Sequence, residues 1–196
     1  PYRGGCLLMS MNLPNKLTVF RIFLIPVFML IIIFGGNASV QAAGSTVVWS
    51  RVIAAIVFAV ASATDWFDGH IARSRNMVTN FGKFADPLAD KMLTMTAFIF
   101  LVELKLAPAW VVAIIVCREL AVTGLRLILA ENEGQVLAAK MPGKIKTTCQ
   151  MLSIIFLLIG DFFHIGTILL YLALIFTIYS GYDYFHQSWG VFKGSM

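Results

Sequence analysis

Long apolar segments follow one another along the chain, separated by short polar stretches. A helix that crosses the hydrocarbon core of a bilayer needs about 20 apolar residues. The sequence contains no strand-like alternation of apolar and polar positions and no internal repeat. The pattern therefore predicts six membrane-spanning helices, at Leu17–Phe34, Val47–Thr64, Phe84–Leu104, Ala107–Ala130, Thr147–Ile159 and Ile165–Tyr184.

The basic residues are distributed unevenly among the connections between these spans. Lysine and arginine occur near the N-terminus and in the 73–83 and 131–146 connections, whereas the 160–164 turn has none. Cytoplasmic connections of membrane proteins carry an excess of lysine and arginine, and a short amphipathic piece before Lys16 fits the membrane interface. The predicted fold is an all-α integral membrane protein with six transmembrane helices, a short N-terminal interfacial segment and both termini cytoplasmic.

Composition narrows the class of protein further. The chain is 59% hydrophobic and 13% charged, whereas a soluble domain is about 25% charged. These values exclude a disordered chain, a coiled coil and a nucleic-acid-binding domain, and they disfavour a soluble enzyme. Residues 1–10 differ in character from the rest, and Met11 is a plausible start. We therefore expect residues 1–10 to be a remnant added before the native start, or an alternative start, and 11–196 to form a single six-span membrane domain.

Four of the ten acidic residues lie within one 26-residue stretch, at the predicted cytoplasmic ends of the second and third spans. Asp65 and Asp68 are three residues apart and Asp86 and Asp90 are four apart, so each pair shares a helix face. Carboxylates brought together repel one another, and their oxygen atoms favour a hard cation. We predict a site for two divalent cations, Mg²⁺ or Mn²⁺. The alternative is a set of solvated carboxylates at helix ends.

Small residues accompany these carboxylates. Gly69 and Ala72 share the helix face of the first pair, and Gly82 shares the face of the second. Small side chains leave room for a large flat group to approach the backbone. The guanidinium of Arg73 has the planar fork that binds a phosphate oxygen. Metal ions, a diphosphate and space for a base together favour a phosphoryl-transfer centre.

The whole stretch reads D-x-x-D-G-x-x-A-R, eight residues, and then G-x-x-x-D-x-x-x-D, from Asp65 to Asp90. This pattern resembles the signature of the CDP-alcohol phosphotransferase family at every fixed position. The segment from Pro14 to Arg21 also resembles the first-helix motif of that family, and six spans are similar to its fold. The resemblance therefore covers nearly the whole chain after Met11.

The resemblance implies transfer of a phosphatidyl or similar group from a CDP-linked donor to an alcohol, with release of CMP. It implies that Asp65, Asp68 and Asp86 hold the metal ions, and that Asp90 completes the site and acts as general base toward the acceptor hydroxyl. It also implies a homodimer. The residues that the resemblance assigns to the CDP-linked donor are Asn15, Thr18, Arg21, Gly69, Ala72, Arg73 and Gly82. For the first three, an alternative is that they cap the first helix.

Basic residues on and after the fourth span bear on the acceptor. Five cations expected near the aspartates favour an anionic acceptor, and the 118–126 and 143–147 stretches resemble the branch of the family that uses glycerol 3-phosphate. Alternatives are a structural ion pair between Arg118 and Glu119 and anchoring of the lysines at the membrane surface. The predicted ligands of the acceptor phosphate are Arg118, Arg126, Lys140, Lys144 and Lys146.

These patterns predict a membrane enzyme of a bacterial-type cell membrane, with its active site at the cytoplasmic face. The resemblance implies CDP-diacylglycerol and glycerol 3-phosphate as substrates, and the apolar segments predict membrane lipids as partners. The same chemistry with serine, inositol phosphate or phosphatidylglycerol as acceptor is an alternative. A cation transporter is disfavoured because the acidic residues lie at helix ends and no matching pair of broken helices is present. A non-catalytic scaffold with a structural metal leaves the small-residue face unexplained.

Overall fold

The structure is a computed structural model that describes residues 13–36, 38–42, 45–74, 80–132 and 141–194, with side chains described at 18–36, 38–41, 46–64, 91–125, 141 and 143–186. The described residues are mostly helical, and a single 3-10 turn at Phe162–His164 precedes the last helix. The elements are α1 Leu13–Phe34, β1 Ser39–Ala42, β2 Ser45–Val48, α2 Trp49–Ser74, α3 Asn80–Glu103, α4 Ala109–Asn132, α5 Met141–Ile159 and α6 Ile165–Gly194.

The predicted helical class is confirmed for these residues, with one addition. β1 and β2 pair as a small two-stranded sheet between α1 and α2, which the apolar pattern did not predict. Strands of four residues are too short to show an alternating pattern, and the β-branched residues from Thr46 to Val48 favour extended backbone. The helix of the second predicted span consequently begins at Trp49 rather than at Val47.

Helix length and hydropathy test the membrane prediction in part. Within the described residues, one helical segment, Phe162–His186, is long and apolar enough to cross a membrane, with 25 residues and a mean hydropathy of 2.0. Thr18–Phe34 and Trp49–Thr64 are shorter apolar helical segments. The predicted interfacial segment before Lys16 overlaps the start of α1, which begins at Leu13; the rest of it lies outside the described residues.

The chain divides into two compact units, of which the first contains α1, α2 and α3 as far as Ala97. In this unit α1 packs against α2, and the rings of Phe28 and Phe58 meet with centroids 6.3 Å apart. The buried positions recur every three or four residues, which is the spacing of one helix face. They are Thr18, Arg21, Ile25 and Phe28 on α1, and Ala54, Ala55, Phe58 and Ala61 on α2.

The second unit contains α3 from Phe98 onward together with α4, α5 and α6. α6 packs against α5 and α4, and buried apolar side chains such as Ile115, Ile154 and Leu170 form the core. The turn between α5 and α6 is tight because Asp161 takes a left-handed backbone conformation, with φ 49°. The Asp161 carboxylate then accepts hydrogen bonds from the backbone N–H and the hydroxyl of Thr167, at 3.1 and 2.6 Å, and so caps the start of α6.

Candidate active site

The four aspartates predicted to bind metal ions all lie on helices of the first unit. Asp65 and Asp68 belong to α2, and Asp86 and Asp90 belong to α3. Because both segments are helical, the spacings within the pairs place each pair on one helix face. The side chains of these four residues lie outside the described residues. The same holds for the small residues and the arginine of the motif, Gly69, Ala72, Arg73 and Gly82, which lie on the same two helices.

The chemistry of this donor set fits a hard divalent cation. Carboxylates supply oxygen ligands alone, the kind that Mg²⁺ and Mn²⁺ prefer, and helical spacing presents two of them side by side on each of α2 and α3. Among the side chains that the structure describes, no group of three or more His, Cys, Asp or Glu residues could hold a metal ion. The metal prediction therefore depends on the aspartate motif itself.

Two of the residues predicted to contact the donor face the interior of the first unit. Thr18 and Arg21 are 0% and 1% exposed, on the face of α1 that also carries Ile25 and Phe28. Both lie beyond the first turn of a helix that begins at Leu13, so the alternative that these two cap its N-terminus is wrong. Burying a guanidinium costs free energy because the charge loses its hydration. A buried arginine is therefore typical of a residue with a functional role. Asn15 also belongs to α1, but its side chain lies outside the described residues.

Two basic residues of the second unit, Arg118 and Lys146, meet around one buried carboxylate. Glu119 on α4 is 5% exposed, and its Oε1 accepts a hydrogen bond from Nζ of Lys146 on α5. The same oxygen accepts a weaker one, at 3.5 Å, from Nη1 of Arg118. The ion pair between Arg118 and Glu119, considered as an alternative on sequence grounds, is therefore present. The main partner of Glu119 is nevertheless Lys146, 27 residues away, a contact that the sequence did not predict.

Arg118 is also held by α6. Its Nη2 donates a hydrogen bond of 2.9 Å to Oγ of Ser180, and Ser180 in turn donates to the backbone oxygen of Phe176 at 2.6 Å. A Cβ atom on Gly181 would lie 3.2 Å from Cγ of Arg118, so the aliphatic stem of Arg118 lies directly against that glycine. Sequence reasoning missed Ser180 and Gly181, whose only signal was a pair of small residues within an apolar span.

α5 separates two of the predicted acceptor ligands. Lys144 and Lys146 both lie in α5, which begins at Met141, six residues before the predicted fifth span at Thr147. Residues two positions apart on a helix point to different sides, and accordingly Lys144 is exposed while Lys146 is 3% exposed. Arg126 lies on α4 with its side chain outside the described residues, and Lys140 lies outside them altogether.

Comparison with known proteins defines the class. A family model described as CDP-alcohol phosphatidyltransferase matches residues 11–179. This range includes the aspartate motif, all of α1 to α5, and α6 as far as residue 179. The chain therefore belongs to the CDP-alcohol phosphatidyltransferase family, a family of transferases.

Individual relatives match over most of their length. The chain is 46% identical over 191 residues to a CDP-diacylglycerol--glycerol-3-phosphate 3-phosphatidyltransferase of Bacillus subtilis (strain 168), covering 94% of this chain and 98% of the relative. It is 35% identical over 188 residues to a protein of the same description from Yersinia enterocolitica, covering 92% and 97%. It is 39% identical over 176 residues to a probable phosphatidylglycerophosphate synthase of Mycobacterium tuberculosis, covering 88% and 79%.

Proposed function

We propose that this protein transfers the phosphatidyl group of CDP-diacylglycerol to sn-glycerol 3-phosphate, forming phosphatidylglycerophosphate and CMP. The observation that carries this proposal is the 46% identity over 94% of the chain to a relative described by that reaction. The proximity of the two cations Arg118 and Lys146, which share Glu119, supports an anionic acceptor, because guanidinium and ammonium groups bind phosphate.

The aspartate motif is the proposed reaction centre. Asp65, Asp68, Asp86 and Asp90 would hold two divalent cations, Mg²⁺ or Mn²⁺, and the bound cations would supply positive charge beside the diphosphate and the departing CMP. Asp90 takes the proton of the acceptor hydroxyl as general base. The acceptor oxygen then bonds to the phosphorus that carries diacylglycerol, while the bond from that phosphorus to the CMP oxygen breaks.

The donor contacts come from both ends of the motif and from α1. Gly69, Ala72 and Gly82 border the cytidine, where the lack of large side chains leaves room for the base. Arg73 contacts the diphosphate through its planar fork. Asn15, Thr18 and Arg21 of α1 line the nucleotide side, and the burial of Thr18 and Arg21 on one helix face supports that role.

The acceptor phosphate is bound by basic residues of the second half of the chain. The proposed ligands are Arg118, Arg126, Lys140, Lys144 and Lys146. Arg118 has the most support, because its side chain is 14% exposed and is oriented by contacts on both sides. Lys146 is more deeply buried, and its bond to Glu119 holds its ammonium group close to the Arg118 guanidinium. Lys144 is exposed and free to reach an anion from solution.

We place this reaction at the cytoplasmic face of a bacterial-type cell membrane. Residues 11–196 form one membrane domain with six spans, both termini cytoplasmic, and the protein acts as a homodimer among membrane lipids. Large apolar side chains exposed along the helices support contact with lipid, because exposing so much apolar surface to water is unfavourable. Examples on α1 and α6 are Phe23, Leu30, Ile33, Ile168, Ile175 and Ile178, each more than half exposed.

An acceptor screen tests the proposed reaction. Purified full-length protein in detergent micelles with CDP-diacylglycerol and Mg²⁺ receives one alcohol at a time, and released CMP is measured. The alcohols are glycerol 3-phosphate, serine, inositol phosphate and phosphatidylglycerol. Release with glycerol 3-phosphate alone is the expected result. Release with another alcohol and none with glycerol 3-phosphate would reassign the acceptor, and no release with any of them would overturn the transferase activity proposed here.

A further inference from the structure

Arg118 is the member of the proposed acceptor site whose orientation is most completely determined. Its guanidinium carries one hydrogen bond on each of two nitrogen atoms, from Nη1 to Glu119 and from Nη2 to Ser180. A guanidinium is a flat fork that binds phosphate well only when its plane is set correctly. The groups that set this plane therefore bear on how the acceptor is recognised.

Ser180 is suited to hold that plane because its own hydroxyl is oriented. The hydroxyl has one proton and two lone pairs. It donates the proton to the backbone oxygen of Phe176, at 2.6 Å, within α6. A lone pair is thereby left to accept from Nη2 of Arg118 at 2.9 Å, which is good geometry for a bond from a charged donor. α6 consequently presents a fixed acceptor to a side chain of α4.

The neighbouring glycine, Gly181, contacts the aliphatic part of the Arg118 side chain. Gly181 is buried, and the stem of Arg118 lies close to it, since a Cβ there would be 3.2 Å from Cγ of Arg118, a tight contact, and 3.5 Å from its Nε. Ser180 thus orients the guanidinium of Arg118, while the absence of a side chain at Gly181 leaves space for its aliphatic part. Neither residue is charged, and neither is among the predicted phosphate ligands.

Glu119 fixes the other side of the guanidinium and brings a second cation close to it. One carboxylate oxygen accepts from both Nη1 of Arg118 and Nζ of Lys146. Two cations held this close repel each other, and a shared carboxylate offsets that repulsion in a poorly hydrated interior. The arrangement keeps an arginine and a lysine side by side, and the three side chains together carry one net positive charge, which favours an anionic ligand.

We infer that Ser180, assisted by Gly181, is a positioning residue that orients the Arg118 guanidinium for the phosphate of the acceptor. This inference rests on the proposed function, in which that phosphate belongs to glycerol 3-phosphate. Ser180 acts through Arg118 and does not itself touch the acceptor. Its removal should therefore weaken use of the acceptor and leave use of the CDP-linked donor unchanged.

The test compares Ser180→Ala with a matched control, Ser153→Ala. Ser153 is a buried serine of α5 whose hydroxyl donates to the backbone oxygen of Gln150 at 2.9 Å. We expect Ser180→Ala to raise KM for glycerol 3-phosphate about tenfold, the effect expected if the misoriented Arg118 guanidinium loses one hydrogen bond to the phosphate, with KM for CDP-diacylglycerol unchanged. Ser180→Thr retains the hydroxyl and should restore most of the affinity. Ser153→Ala should change neither KM.

A second variant covers the case in which Ser180→Ala does not yield folded protein. Gly181→Ala places a Cβ against the Arg118 stem and should also raise KM for glycerol 3-phosphate selectively. Wild-type values for the acceptor in folded Ser180→Ala or Gly181→Ala, or equal rises for both substrates, would overturn the positioning role. Failure of the wild-type protein to release CMP with glycerol 3-phosphate would instead overturn the proposed function, and the positioning role with it.

Discussion

Glu119 on α4 and Lys146 on α5 form a buried ion pair, with side chains 6% and 4% exposed. The pair links α4 and α5, two consecutive helices of the second unit. Without it, each helix would bury an unpaired charge in an apolar interior. A buried pair of this kind is not in itself evidence of stability, because desolvation offsets much of the attraction. Removal of one partner alone is costly, since the other charge is then left buried.

This relationship predicts an asymmetric response to mutation. Lys146→Met should destabilise the protein by about 3–5 kcal/mol, because the Glu119 carboxylate loses its main partner. The double variant Lys146→Met with Glu119→Leu should recover much of that loss, since no unpaired charge remains. Thermal unfolding in detergent micelles, followed by circular dichroism, measures both effects.

The matched control is Lys144→Met, which removes an exposed lysine from the same helix. Substitutions at such exposed positions usually change stability by less than about 0.5 kcal/mol. Equal losses in Lys144→Met and Lys146→Met would contradict a stabilising role for the buried pair.

Asp90→Asn should abolish release of CMP while leaving the protein folded. An amide cannot accept the proton of the acceptor hydroxyl, and it is a weaker ligand for a divalent cation than a carboxylate. The matched control is Glu103→Gln, an exposed acidic residue at the end of the same helix, α3, which should retain full activity. Turnover by Asp90→Asn at the wild-type rate would remove the general-base assignment.

Arg118→Ala should raise KM for glycerol 3-phosphate by more than tenfold, the cost expected for losing more than one hydrogen bond to a charged group. KM for CDP-diacylglycerol should change little. Steady-state kinetics with each substrate varied in turn separates the two constants, and Arg51→Ala on α2 serves as an arginine control outside the predicted site. If Arg118→Ala raises both constants to the same extent, the acceptor-phosphate role is wrong.

Chelation should stop the reaction reversibly. EDTA removes divalent cations, after which the carboxylates of the motif and the diphosphate would lose their proposed counter-charge. Addition of Mg²⁺ or Mn²⁺ should restore release of CMP, whereas Na⁺ at equal ionic strength should not. Full activity in excess EDTA would contradict the metal assignment, and unfolding during chelation, checked by circular dichroism, would point to a structural metal.

Local pattern was sufficient to predict the helices and the aspartate motif. Long apolar segments favour helices because a helix satisfies its backbone groups within the segment, and each of the six predicted segments lies mostly within one described helix. Among the described residues, one helical segment, Phe162–His186, is long and apolar enough to cross a membrane. The pairing of Asp65 with Asp68 and of Asp86 with Asp90 on helix faces follows from sequence spacing alone. The hairpin of β1 and β2 was missed because its strands are shorter than any detectable period.

Contacts between distant residues were decided by the tertiary structure. Glu119 and Lys146 are 27 residues apart, and Arg118 and Ser180 are 62 apart; no local spacing connects them. The sequence alone determined that Arg118, Lys144 and Lys146 are cations in an apolar chain. The tertiary structure determined that Lys144 is exposed, that Lys146 is paired with Glu119, and that Arg118 is held by Ser180. These outcomes depend on how α4, α5 and α6 pack. A helix period fixes neighbours on one helix, whereas neighbours on different helices depend on how side chains pack in three dimensions.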